Sequence, residues 1–297
     1  MIQERFSLMT FRLDVDVLLG WMTAEECLLL AKQAGIPYVD VMNPSQRRVA
    51  EYVRGGERTD VRTHCYIGSV SFFSNRENSI RRLLLRHLRS AEALGAKLFM
   101  IVPVNAQIDE LICRKLGKAE ARKRLEKYFS LAVDLARGRN IRVCFETTPQ
   151  DYTCLSGAED CRWILERLPE LGLVYDTANM LSHGDDPLEY YEALKNHIVY
   201  VHLKDVTLVK AGLLDCILGA ERTKDGCVMK CCVSGQGVIP LAEILNRMER
   251  DGYKGKYALE YSHPDNYPAG YSQNACYLAK HMDFWENLAV HGRDIIA

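Results

Sequence analysis

A chain of 297 residues that is 48% hydrophobic can bury one large core, and its 38 basic and 39 acidic side chains cancel to a net charge of -1. That balance offers no electrostatic pull toward nucleic acid or an anionic membrane, so neither is expected as a partner. The opening Met1-Ile2-Gln3-Glu4-Arg5-Phe6 lacks a cationic leader, no stretch approaches the roughly 20 apolar residues of a membrane span, and the eleven cysteines lack a repeated CxxC pair. A cytoplasmic protein with reduced thiols is expected; Cys227, Cys231 and Cys232 cluster too loosely to predict a zinc knuckle.

In chain order, short runs rich in Val, Ile, Leu and Phe alternate with longer segments of helical period. The first run, Phe6 to Leu13, precedes Thr23-Ala24-Glu25-Glu26, a capping box that opens a helix ending at Gly35. A strand, Ile36 to Met42, follows directly. Val61 to Val70 forms the third strand and ends in a Ser/Asn-rich turn, and the helix Ser79 to Leu94 stops at Gly95. On that helix Arg81, Arg82, Arg86 and Arg89 fall at helical spacing, which reads as a solvated face. Lys97 to Val104 is a near-continuous apolar strand, followed by a long helix from Ala119 to Arg137.

Four further runs each end in a side chain able to hold a metal: Val143-Cys144-Phe145-Glu146, Leu173-Val174-Tyr175-Asp176, Val199-Tyr200-Val201-His202 and Tyr257-Ala258-Leu259-Glu260. Helical segments separate them at Ala158 to Leu168, Asp186 to Asn196 and Pro240 to Asp251. Eight strand-helix units in a chain of this length predict a single-domain α/β fold, a (β/α)8 TIM barrel. An open doubly wound sheet has the same alternation, but no glycine-rich phosphate loop follows the first strand. The C-terminal strand ends also converge on one mouth only in a barrel.

Any one acidic strand end reads equally well as a cap or a loop charge; four in succession read as a site. Three carboxylates and one imidazole make a hard donor set for one divalent cation, Mn2+ first, with Mg2+, Co2+ and Zn2+ also compatible.

Five motifs carry a resemblance: Phe145-Glu146-Thr147-Thr148-Pro149, Tyr175-Asp176-Thr177-Ala178-Asn179, Val201-His202-Leu203-Lys204-Asp205, Gly235-Gln236-Gly237-Val238-Ile239 and Leu259-Glu260. Together they resemble the xylose-isomerase-like TIM barrels known as sugar phosphate isomerases/epimerases. The resemblance implies that Glu146, Asp176, His202 and Glu260 bind the metal, and that Glu146 and Glu260 are also the catalytic acid/base pair. That pair would move a proton at the carbon next to the carbonyl of a keto-sugar or related polyol. Lys204 shares the inward side of His202 and is expected to touch substrate, while Asp205 is expected behind the ligands.

Departures temper the likeness. Asn179 stands where many relatives have a substrate-contacting His, so it can hydrogen-bond a hydroxyl but carries no proton near neutral pH; His183, just beyond, is a substitute contact. Endonuclease IV, in the same family, needs further histidines, and His64 near strand three is the only added candidate here, read as a substrate contact. The segment 206–234 is longer than the usual loop after strand seven. It reads as a lid or a subunit contact in a homo-oligomer, with Arg222 or Lys224 available to an anionic or hydroxyl-rich ligand. Two other outcomes remain open: a lyase or dehydratase expelling a group from the same enolate, such as a keto-inositol dehydratase or an oxidised-glycoside cleaving subunit, and a non-catalytic barrel subunit.

Overall fold

A computed structural model of the chain describes residues 2–10, 22–104, 106–149, 153–212, 221–260 and 271–291. Eight parallel strands close into a barrel in the order β1-β10-β7-β6-β5-β4-β3-β2. They are β1 (Phe6–Met9), β2 (Tyr38–Met42), β3 (Arg62–Ser69), β4 (Leu98–Val102), β5 (Arg142–Glu146), β6 (Gly172–Asp176), β7 (Ile198–Leu203) and β10 (Lys256–Leu259). Only strands twisted and tilted into closure leave no unpaired edge, and here β1 meets β10 through Phe6↔Tyr257 and Leu8↔Leu259.

The outer ring is formed by α1 (Ala24–Gln33), α2 (Gln46–Thr59), α3 (Glu77–Ala93), α4 (Ala106–Leu116), α5 (Lys118–Ala136), α6 (Ala158–Arg167), α7 (Pro187–Leu194), α8 (Leu241–Arg250) and α9 (Tyr271–His291). The capping box of α1 is present: Thr23 Oγ1 accepts from Glu26 N, and Glu26 Oε2 accepts from Thr23 N at 2.7 Å. Gly35 and Gly95 follow α1 and α3 with φ of 68° at both, the left-handed conformation that ends a helix cheaply only at glycine. Arg81, Arg82, Arg86 and Arg89 are all exposed on α3, as the spacing predicts.

Side chains alternate between two cores. Met9, Cys65, Ile67, Leu98, Met100, Cys144, Val174, Tyr200 and Ala258 fill the barrel interior. The opposite faces of the same strands pack under the helices, for example Phe99, Phe145 and Tyr175.

Three helices lie outside the segments named from the sequence: α2, α4 and α9. Ser45 caps α2 by accepting from Arg48 N. Its Gly55-Gly56 pair hides the helical signal, and α1 supplies the reason for Gly55: a β-carbon there would sit 2.5 Å from Leu28 Cδ1. α4 precedes α5 across Gly117. Residues 11–13 of the expected first strand lie outside the described residues. The segment 206–234 is partly a two-stranded antiparallel hairpin, β8 (Val206–Val209) with β9 (Val228–Cys231).

Candidate metal centre

The register of β6 and β7 puts Asp176 directly opposite His202, and that of β7 and β10 pairs His202 with Ala258 and Leu203 with Leu259. Glu146 is the last residue of β5, and Glu260 follows the last residue of β10, its N–H donating to Leu203 O at 3.1 Å. Each of the four therefore leaves its strand at the C-terminal mouth, and one ligand-capable atom from each lies within 4.8 Å of the others. Among the described residues this is the only such group of His, Cys, Asp and Glu; Cys227, Cys231 and Cys232 form none.

His202 Nδ1 lies 2.5 Å from Glu146 Oε1 and 3.9 Å from Glu260 Oε2. Asp176 Oδ1 accepts from the N–H groups of Ala178 (2.8 Å) and Asn179 (2.7 Å), which locks its carboxylate. Its other oxygen, Asp176 Oδ2, is buried and has no hydrogen-bond partner among the described residues, and the same holds for Glu260 Oε2. Burial pushes the Asp176 carboxyl well up, and the Glu260 charge beside it pushes the same way. Burial, the largest single influence, pushes Glu260 up too, but Lys204, Asp176 and His202 together hold it down to about 2. For His202 burial acts downward most strongly, and Glu146, Glu260 and Asp40 together more than offset it. One buried and two half-buried carboxylates around a buried imidazole are costly to keep ionised unless a cation neutralises them.

Lys204 is 3% exposed and turns into the mouth. Its Nζ donates to Asn179 Oδ1 at 3.0 Å and Glu221 Oε2 at 3.1 Å, and pairs with Glu260 Oε1 at 3.0 Å. Burial acts to lower its pKa, but Glu221, Glu260 and Asp176 raise it well above the lysine range. Asn179 is itself fixed, its Nδ2 donating to Thr147 O at 2.9 Å. Asp205 turns away to clamp the next loop: Oδ2 accepts from Gly235 N and Gly237 N, Oδ1 from Val206 N and Ile239 N. That clamp explains the Gly-Gln-Gly motif, because a β-carbon on Gly237 would lie 2.1 Å from Asp205 Oδ1.

The remaining predicted contacts divide. His183 lies over Gly157, where a β-carbon would meet its ring at 2.6 Å. Arg222 bridges Val228 in the hairpin. Lys224 packs against Gly184. Among the described residues, none of these three hydrogen-bonds or pairs with the four donors or Lys204. The reading of His64 as a substrate contact is corrected: it sits early in β3, its ring 5.0 Å from Tyr200 and 5.6 Å from Tyr38. Tyr200 is one inward layer below His202, so His64 faces the opposite end of the barrel; burial, Lys256 and Lys97 lower its pKa to about 4.

Sequence reasoning passed over two features. Glu221, rather than Arg222 or Lys224, is the hairpin residue that reaches the cluster. Beneath the cluster, the fully buried Asp40 accepts from Ser7 Oγ (2.7 Å), Cys65 N (3.1 Å) and Tyr200 OH (2.7 Å). A lone Asp inside an apolar strand was its only visible signal.

The four donors are mostly oxygens with one imidazole nitrogen, two oxygens lack partners, and the group opens at the mouth; this set fits a hard divalent cation. Fold and site together define a TIM barrel with a candidate metal centre at its catalytic face. Residues 28–288 match the family of xylose isomerase-like TIM barrels, and the chain belongs to that family. Similar solved structures include a xylose isomerase domain-containing protein from Salmonella typhimurium (15% identity, 95% of this chain and 97% of that one, TM-score 0.70). A D-allulose 3-epimerase from Methylomonas sp., in complex with D-allulose, covers 96% of each chain at 15% identity and a TM-score of 0.68. The IolI protein with a binding zinc atom matches at 16% identity over 96% of this chain and 97% of that one, TM-score 0.65. At such identities the likeness is one of fold. An uncharacterized protein of Escherichia coli, YihM, is 30% identical over 81 residues, 27% of this chain and 21% of YihM, so the match spans about a fifth of that relative.

Proposed function

We propose that the protein is a divalent-metal-dependent isomerase or epimerase that moves a proton at the carbon next to the carbonyl of a keto-sugar or related polyol. The observation that carries this reading is the convergence of Glu146, Asp176, His202 and Glu260 within 4.8 Å at the barrel mouth. A cation held by these four side chains, Mn2+ by preference, supplies the electrostatic stabilisation that makes such a proton removable. The zinc in IolI and the sugar in the D-allulose 3-epimerase support a metal and a carbohydrate as occupants.

The chain's own groups have distinct tasks in this reading. Asp176, locked by two backbone N–H groups, and His202 orient the donors. Glu260, paired with Lys204, accepts the proton, and Glu146, bonded to His202, returns one from the other side. Lys204 and Asn179 line the entry and bind substrate oxygens.

A lyase is the second reading, because the same four donors and the Glu260–Lys204 pair would serve expulsion of a group β to the carbonyl as well as return of a proton. A non-catalytic barrel is disfavoured by a full set of donors that includes two unpartnered buried oxygens.

The test is a screen of keto-sugars, keto-inositols and oxidised glycosides with Mn2+ present, reading proton exchange and dehydration separately. Glu260→Gln should cut solvent-deuterium exchange into a bound ketose by about 100-fold or more while leaving the fold intact. Undiminished exchange would remove Glu260 from the acid/base role.

A further inference from the structure

Lys204 has three N–H bonds to give; Asn179 and Glu221 accept two of them, and Glu260 Oε1 pairs with the ammonium at 3.0 Å. Enclosed by these three partners and almost wholly buried, the ammonium meets a ligand only if one of them withdraws. Asn179 is pinned by Thr147 O and by Asp176 and is 3% exposed. Glu260 is pinned by its backbone bond to Leu203 and turns its other oxygen to the cluster. Glu221 differs from both. Its side chain keeps 31% of its exposure, and its backbone belongs to the hairpin, accepting from Met229 N, instead of the barrel.

Charge narrows what takes its place. Lys204 loses an anionic partner when Glu221 leaves, and Glu260 is shared with the other carboxylates of the cluster. A neutral hydroxyl replaces the hydrogen bond and leaves a buried charge poorly compensated; a carboxylate replaces both.

We propose that Lys204 and Asn179 form a carboxylate subsite in which Glu221 is a built-in placeholder, so that the substrate is a keto-polyol bearing a carboxylate that displaces it. This rests on the reading of the site given above and narrows its substrate class.

The matched probes D-gluconate and D-glucitol, which differ only in one terminal carboxylate, test it by titration calorimetry on the purified protein. The wild type should bind D-gluconate at least about tenfold more tightly than D-glucitol. Glu221→Ala removes the internal competitor and should tighten D-gluconate by about tenfold, leaving D-glucitol within about twofold. Lys204→Met, with its fold checked by circular dichroism, should lose the preference for the acid. Equal binding of the two probes, no D-gluconate binding in Glu221→Ala, or weaker D-gluconate binding in that variant would each overturn the subsite. The heats require no turnover, so an acid preference without proton exchange would refute the reaction and leave the subsite standing. Exchange with a neutral ketose alone would do the reverse.

Discussion

Asp176 and His202 occupy one rung of the β6–β7 ladder, and a shift of one residue in either strand would turn its side chain out of the mouth. His197 offers an internal control, because it ends the short turn before β7, on the far side of the barrel from the mouth. His202→Ala should therefore lower Mn2+ affinity by more than about tenfold and His197→Ala should not, in titration calorimetry; equal effects would mean that the wrong histidine holds the metal. Deeper in the barrel, burial raises the Asp40 carboxyl from 3.8 to about 6. A folded-state value above the unfolded one stabilises below the unfolded pKa, and that contribution is lost as pH rises through the folded pKa. Asp40→Asn should thus gain stability relative to the wild type by about 2 kcal/mol between about pH 4.5 and pH 7.5, measured by denaturant titration of metal-free protein. A difference independent of pH would mean that burial does not raise the Asp40 pKa above its unfolded value.

At the scale of elements, the loop after β7 is where sequence reading was thinnest. Its length and its charges were visible, but which charge points inward depends on the hairpin that β8 and β9 form, and it is Glu221 that reaches Lys204. The Asp205 clamp fixes the base of that hairpin, and Gly237 is there because no side chain fits between Asp205 Oδ1 and Val206 O. Gly237→Ala should cost about 1–3 kcal/mol by overpacking, and should weaken substrate binding more than metal binding, since none of the four donors belongs to this turn. Calorimetry of Mn2+ binding beside a thermal melt separates the two effects. The helices were legible where caps and glycine stops framed them, as in α1 and α3. α2 was not, because Gly55 makes room for Leu28 of α1 and Gly56 for Val61 O, contacts that no local pattern announces.

For the whole molecule, the proposed centre predicts that loading stabilises the barrel, because Asp176 and Glu260 oxygens without hydrogen-bond partners among the described residues would gain a cation. About one divalent ion per chain should bind, and Mn2+ at about 100 times its Kd should stabilise the fold by about 2.7 kcal/mol and raise Tm by about 5 °C, with chelation reversing the shift. A folded metal-free protein whose Tm ignores Mn2+ would count against the centre.

What the sequence determined by itself was the barrel and its mouth. Strand and helix periods are local, and the rule that parallel strands close with their C-terminal ends together converts four residue types into one site without any coordinates. The tertiary structure decided what a period cannot carry. It set His64 at the far end through its contact with Tyr200, turned Asp205 from the cluster to a loop, and brought Glu221 onto Lys204 from a hairpin 17 residues further along the chain. Each of these depends on contacts between groups distant in sequence, where charge and space, and not propensity, select the neighbour.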